Sequence, residues 1–400
     1  MLETADRSSS FMNSSEGICE RDVFVFVHGM FGWGCGEGIN THAPYWGATT
    51  GDLMKYLTDR GYECYAASVG PISSAWDQAC ELYAQITGQR IDYGVVHSRK
   101  FNHSRYGREY TEPLIKGFGK DKIKIHLIGH SYGGVCVKLF THLLTNGAPE
   151  EIEACDDASQ LFAGGNEDWI KSCTTLCTPH NGSTAYHYVI KKHLKPMFKS
   201  GVTAWAGVFG RSPLNGKLVD FHLEQFGITE IPGEKNAPKL SKMFKSFYDT
   251  NDSIDYAIGP KGAREINDLI DISKNVYYFS YAFDSTEKVK GKYKTKNSDF
   301  FLMAVTGNAM IRFGEYTDDE TGETFDEKWL PNDGLVNVTS ALYPENAPHT
   351  DYDEQNIKSG IWNVMPVQKG DHGTAIGLFA DELQTRLFYD KMIKMLSALK

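Results

Sequence analysis

The feature that most constrains this chain is a change of hydrophobic period at one serine. Ile123, Ile125, Leu127 and Ile128 alternate and then become continuous, as in a strand buried on both faces. The run ends in Gly129-His130-Ser131-Tyr132-Gly133-Gly134. Beyond it Val135, Val137, Leu139, Phe140, Leu143 and Leu144 repeat with a helical period, closed by Asn146-Gly147. A Gly-x-Ser-x-Gly pattern between strand and helix predicts a sharp turn with the serine at its tip. Side chains two before and two after such a serine would collide, which explains glycine at both positions. Ser131 is therefore read as a nucleophile, in preference to a buried serine in an ordinary Gly-rich turn.

Other β-branched or aromatic runs fall at 22–27, 64–69, 172–176, 276–281 and 362–367, with helical stretches between them. Strands interleaved with helices predict an α/β sheet. Apolar residues make up 41% and charged residues 23%, enough for a large core and too apolar for disorder. The longest apolar runs are only a few residues, so none reaches the length of a membrane span. The net charge of −10 disfavours nucleic-acid binding, which needs a basic surface. Eight scattered cysteines, with only Cys173 and Cys177 close together, read as reduced thiols. Residues 1–21 are polar and Ser-rich, the pattern of a mobile tail. They lack the apolar stretch of a signal peptide, so a cytoplasmic or other intracellular location is expected.

A serine nucleophile needs a base and an acid, and in such folds the chain order is Ser, Asp or Glu, then His. His372, in Lys369-Gly370-Asp371-His372-Gly373, follows an apolar strand candidate and sits on the kind of loop that reaches the nucleophile. His349 lies in polar, Pro-rich sequence and reads as a surface residue. Asp333, in Asn332-Asp333-Gly334 ahead of a strand-like run at 335–338, is the expected acid that orients the imidazole. Asp371 remains the alternative, although neighbouring side chains on one strand diverge. The expected oxyanion donors are the backbone N–H groups of Met30, after the first central strand, and of Tyr132. His28 reads as a structural imidazole bracing that loop. Because Ser131 and His372 build one site from both halves of the chain, we expect one α/β-hydrolase domain over 22–400. Its central sheet would be mostly parallel with helices on both faces, and its surplus length would lie in insertions at 71–113 and 181–258.

Further motifs occur in order. They are Val27-His28-Gly29 with Gly32-Trp33-Gly34, Tyr45-Trp46-Gly47, Val69-Gly70-Pro71-Ile72-Ser73-Ser74, Trp76-Asp77 and Asp92-Tyr93-Gly94. Thr178-Pro179-His180, Trp329-Leu330 and Trp362-Asn363 follow. This series, together with the elbow and Asp371-His372, resembles the thermoalkalophilic bacterial lipases and their staphylococcal relatives. By residue match Ser131, Asp333 and His372 fall on that family's nucleophile, acid and base. The chain departs from the family at Gly129, where Ala is usual, and at Met30, where Phe is usual. The second change alters the acyl entrance and leaves the N–H donor intact. The resemblance implies cleavage of acylglycerols or related lipid esters through an acyl-enzyme, with a lipid interface as partner. A phospholipid acyl hydrolase or acyltransferase with the same triad is the alternative enzyme. A catalytically silent lipid-binding module is the alternative of another class, and the intact triad weighs against it. The family is mostly secreted, which sets secretion beside the intracellular expectation.

Asp77, His97 and His103 cluster in the first insertion, and imidazole with carboxylate suits zinc. The resemblance implies a structural zinc held by two Asp and two His. Its first three ligands fall on Asp77, His97 and His103 and its fourth on Asp252, with Asp249 and Asp255 as near rivals. Such a site would tie the first insertion to the second. The family also carries calcium after its catalytic His, through a Glu and a later Asp-Pro. Here Thr374 stands at the Glu position and no Asp-Pro follows, so calcium is not expected. Val202, Trp205 and Phe209 share one face of a helical period. On periodicity alone that face reads as ordinary packing; the resemblance implies a lid that opens onto lipid.

Overall fold

The computed structural model describes residues 20–185, 220–227, 250–296, 298, 300–318 and 322–400. Seven strands form one sheet. In spatial order they are His349–Asp351, Trp362–Val364, Tyr277–Tyr281, Ile170–Leu176, Ile123–His130, Arg21–Val27 and Glu63–Ala67. Every pairing in this sheet is parallel. A parallel sheet must be covered on both faces, and the first strand shows how its sequence meets that demand. Val23, Val25 and Val27 enter one core, while Phe24 and Phe26 enter the other, and all five are buried. The first core contains the elbow helix Tyr132–Asn146 packed on the helix Ala75–Thr87. The second contains Tyr389, Met392, Ile393 and Leu396 of the C-terminal helix Glu382–Ser397.

Chain order places the site. From Arg21–Val27 the chain passes to the edge strand Glu63–Ala67, then crosses back to lay Ile123–His130 on the other side. At such a reversal of winding, loops diverge and leave a crevice at the carboxyl ends of the strands. The two strands on either side of it run with Val27 opposite Gly129. His28-Gly29-Met30 and His130-Ser131 therefore leave the sheet side by side.

Two elements differ from the sequence reading. Residues 335–338 are not a strand. Asp333 Oδ1 accepts the N–H of Leu335 at 2.9 Å and of Val336 at 2.7 Å, which turns the chain into a short helix, Val338–Leu342. The polar segment around His349 is an edge strand, with His349 itself exposed. Within 71–113, the helix Ala75–Thr87 is almost wholly buried, and Ser74 caps it by accepting the Asp77 N–H at 3.2 Å. The cysteines among the described residues are all free thiols. Among those residues no helix is long and apolar enough to cross a membrane.

Candidate active site and metal cluster

Ser131 joins the strand Ile123–His130 to the helix Tyr132–Asn146 with φ 55° and ψ −127°. A non-glycine residue held there stores about 1–3 kcal/mol of strain and persists only where its surroundings fix it. Its N–H donates to the Leu176 carbonyl at 2.7 Å. The elbow cannot relax, because its glycines already touch their neighbours. A Cβ on Gly129 would lie 2.4 Å from the Gly133 carbonyl oxygen, and one on Gly133 would lie 2.3 Å from that of Val27. On Gly134 it would lie 1.8 Å from Thr178 Oγ1. Ser131 is partly exposed although the residues flanking it are buried. Neither the Met30 nor the Tyr132 N–H has an acceptor among the described residues, as donors reserved for an oxyanion must not.

Asp333 and His372 are joined twice. His372 Nδ1 lies 2.8 Å from Asp333 Oδ2, and the His372 N–H donates to the Asp333 carbonyl at 2.8 Å. Both residues are buried. With Nδ1 engaged by the carboxylate, Nε2 is the nitrogen left to exchange a proton. Asp333 Oδ1 is saturated by the Leu335 and Val336 N–H groups, so the carboxylate is fixed at both oxygens. The alternative acid, Asp371, is committed to its own loop. Its Oδ2 accepts from Ser298 Oγ at 2.8 Å and from the Phe300 N–H at 3.2 Å, and its Oδ1 accepts from the Gly373 N–H at 2.9 Å.

A buried relay that sequence reasoning did not find connects these parts. The Gly29 N–H donates to Tyr45 Oη at 3.0 Å, and Tyr45 Oη lies 2.7 Å from His130 Nδ1. His130 Nε2 lies 3.0 Å from the His372 carbonyl oxygen. Since a carbonyl only accepts, His130 must carry its proton on Nε2, and Nδ1 then accepts from the Tyr45 hydroxyl. Burial and the adjacent His372 hold the His130 pKa well below the usual imidazole range, which keeps this neutral tautomer. Cys177 stands beside Asp333, and burial followed by that carboxylate pushes its thiol well above its ordinary pKa. His28 Nδ1 lies 2.9 Å from the Gly29 carbonyl, and its Nε2 accepts the Val69 N–H at 3.2 Å.

The second cluster lies on the segment at 71–113. Asp77 is in the first turn of Ala75–Thr87, His97 is on Val95–Phe101, His103 follows that helix, and Asp252 precedes Ile254–Ala257. His97 Nε2 is 3.3 Å from Asp77 Oδ1 and 3.3 Å from Asp252 Oδ1, and His103 Nε2 is 3.2 Å from Asp252 Oδ2. Ligand atoms of all four residues lie within 4.8 Å of one another. Asp77 Oδ1, His97 Nε2, His103 Nε2 and Asp252 Oδ2 are buried with no hydrogen-bond partner. Orphaned polar atoms that converge in this way are what a metal ion satisfies. Supporting bonds fix the ligands from behind, as metal sites require. His103 Nδ1 lies 2.9 Å from the Ser104 carbonyl, and Gln225 Nε2 donates to Asp77 Oδ2 at 2.8 Å. Burial and the facing Asp252 push the Asp77 carboxyl above its ordinary range. Two carboxylates and two neutral imidazoles would balance a divalent cation. Asp255 is outside the cluster; Asp249 lies outside the described residues, as do Val202, Trp205 and Phe209.

A buried charge cluster next to these ligands also went unread in the sequence. His222 Nδ1 is 3.4 Å from Glu81 and its Nε2 is 3.7 Å from Glu37, all three residues being buried. Burial pulls the His222 imidazolium down, but Glu81 and Glu37 outweigh it and push its pKa up to about 10. Arg108 grips Asp220 through two bonds of 2.7 and 3.0 Å. Residues 220–225 are thus tied to the segment at 71–113 by charge.

A family model described as "Lipase-like, C-terminal domain" matches residues 20–397. Lipase 1 of Staphylococcus aureus (strain MRSA252) is 32% identical over 375 residues, which cover 92% of this chain and 52% of that protein. The lipase of Staphylococcus hyicus is 32% identical over 393 residues, 96% of this chain and 57% of that protein. The chain thus spans about half the length of the curated relatives it matches. The crystal structure of Staphylococcus hyicus lipase matches with a TM-score of 0.77 at 30% identity, covering 97% of this chain and 99% of that one. The structure of EstA from Clostridium botulinum matches with a TM-score of 0.82 at 32% identity, covering 96% and 89%.

Proposed function

Because this chain belongs to the lipase-like C-terminal-domain family, we propose that it hydrolyses carboxylic esters of lipids, acylglycerols foremost, through Ser131, His372 and Asp333. The observation that carries this reading is the buried 2.8 Å bond between His372 Nδ1 and Asp333, with the His372 carbonyl 3.0 Å from Nε2 of His130, the residue that precedes the strained elbow serine. Ser131 Oγ attacks the ester carbonyl carbon while its proton passes to His372 Nε2. The carbonyl oxygen becomes an oxyanion facing the Met30 and Tyr132 N–H groups. His372 returns the proton to the departing alcohol, the C–O bond breaks, and the acyl group remains on Ser131. Water then attacks that ester and gives its proton to His372. Collapse releases the acid and restores the Ser131 hydroxyl. Asp333 holds the imidazole in the Nδ1–H tautomer and stabilises its charged form.

Asp77, His97, His103 and Asp252 would hold a structural zinc. Its positive charge would neutralise the facing carboxylates and join residues 74–103 to 250–254, and it takes no part in the reaction. Residues 22–400 are read as one hydrolase domain, with the lid at 181–258 carrying Val202, Trp205 and Phe209. The test is hydrolysis of an emulsified long-chain triacylglycerol and of a soluble short-chain ester by wild type and Ser131→Ala. We expect a loss of at least ~10⁴-fold on both substrates; equal rates overturn the reading.

A further inference from the structure

Across residues 285–313 six cations stand against two carboxylates, in a chain whose net charge is −10. Lys288, Lys290, Lys292, Lys294 and Lys296 fall on the antiparallel hairpin of Thr286–Val289 with Lys292–Thr295, or directly beside its strands. All five are exposed. Lys288 is paired with Glu327, and Lys296 lies 3.8 Å from Glu287. Among the described residues, Lys290, Lys292 and Lys294 form no ion pair.

The helix that follows, Phe301–Phe313, carries apolar side chains on both sides. Met303, Gly307 and Met310, spaced for one face, are buried. This face lies against the Asp333 loop, where a Cβ on Gly334 would stand 2.8 Å from Met303 Cβ. On the opposite face Phe301 is 80% exposed, Leu302 53% and Val305 48%. Phe379, 48% exposed, extends the patch, its ring centroid 4.9 Å from that of Phe300. Single exposed apolar residues are ordinary, whereas a contiguous apolar group marks a contact surface. The patch borders the proposed site, because the Phe300 N–H bonds Asp371, the neighbour of His372.

Bare lysines would gain nothing from an uncharged oil, and Phe301 and Leu302 would gain nothing from a soluble polyanion. The hairpin adjoins the helix, the Thr295 N–H donating to Asn308 Oδ1 at 3.3 Å, and in a chain that is otherwise acidic the two features together fit a lipid surface with anionic head groups. The head groups would meet the lysines, and the acyl boundary would receive the aromatic and aliphatic side chains. We propose that the hairpin at 286–296 and the exposed face of Phe301–Phe313 form a docking surface for anionic lipid, which turns the mouth of the site toward its substrate phase. The purpose of this surface rests on the ester-hydrolase reading; its test does not.

The test is co-sedimentation of the full chain with vesicles of phosphatidylcholine, or of equal parts phosphatidylcholine and phosphatidylglycerol. Wild type binds the anionic vesicles about tenfold or more tightly than the neutral ones, an advantage that high salt removes. The triple variant Lys290→Glu, Lys292→Glu, Lys294→Glu loses that advantage while hydrolysing a soluble short-chain ester at the wild-type rate. Phe301→Ser with Leu302→Ser weakens binding to both vesicles, with an unchanged circular dichroism spectrum and melting curve. Equal wild-type binding to both vesicles, or binding unaffected by charge reversal, overturns the proposal. So does a preference for soluble RNA over vesicles, or a dimer that the Phe301 and Leu302 changes dissociate while no vesicle is bound. Vesicle binding as expected from a protein that hydrolyses no ester supports the docking surface and refutes only the hydrolase reading.

Discussion

Gly29 lies against the proposed nucleophile without any side chain of its own. A Cβ there would stand 2.6 Å from Ser131 Cβ. Gly29→Ala must therefore displace the nucleophile, and a misplacement of that kind costs about a hundredfold in rate. We expect kcat/KM for a soluble ester to fall by about that factor with secondary structure intact; a wild-type value would contradict the geometry. Tyr45 acts one step further out. Tyr45→Phe leaves the buried Gly29 N–H and His130 Nδ1 without their partner. That should destabilise the protein by about 1–3 kcal/mol, seen in urea unfolding at unchanged slope. It should also lower kcat more than it changes KM. A Tyr45→Phe protein as stable and as fast as wild type would show that the relay holds nothing in place. The elbow at Ser131 was legible in the sequence because its constraint is local: glycines two places either side, a strand before and a helix after. The pairing of Asp333 with His372 was expected from their order and their neighbours, and the two are bonded. Tyr45 was not, because its partner His130 is 85 residues away and no short pattern joins them.

The elbow helix contains a cost of its own. Lys138 is buried, its ammonium donating to Asn267 Oδ1 at 2.5 Å. Burial lowers its pKa from 10.5 to about 7. Between those two values the unfolded chain binds the proton and the folded protein does not, so the stability of wild type rises with pH through that window. Below it both states are charged and the full penalty of burial remains. Lys138→Met lacks this linkage. The variant should be more stable than wild type near pH 7, and the advantage should shrink toward pH 9.5 by up to about 1.4 kcal/mol per pH unit. Denaturant unfolding at both values checks it, and an advantage that is flat or grows with pH contradicts it. Long elements were readable because both faces of a parallel strand are apolar and a helix keeps its own period. The run at 335–338 was misread because it is short, and the Asp333 carboxylate takes the N–H groups a strand partner would need.

At the scale of the molecule, distant segments are held by charge as well as by core. The four proposed zinc ligands come from residues 77 to 252 and leave four buried atoms unpaired. Stoichiometric zinc should be retained through gel filtration, and stripping it with a chelator should lower Tm by on the order of 5 °C or more. His103→Ala should lose the metal and the chelator response together. A metal-free protein with an unchanged melting curve refutes the site. The arrangement of His222 between Glu37 and Glu81 was invisible in the sequence, where the three lie far apart and no short pattern joins them. The proposed site draws on both halves of the chain: Ser131 from the end of an inner strand, and Asp333 with His372 from loops beyond residue 330. The most direct measurement is the intact mass of the protein after exposure to a p-nitrophenyl alkylphosphonate, a mimic of the attacked ester. Nitrophenolate release should match one phosphonyl adduct per chain, mapped by peptide sequencing to Ser131, with none on Ser131→Ala and slow formation on His372→Ala. Absence of an adduct on wild type, or an equal adduct on Ser131→Ala, would contradict the account.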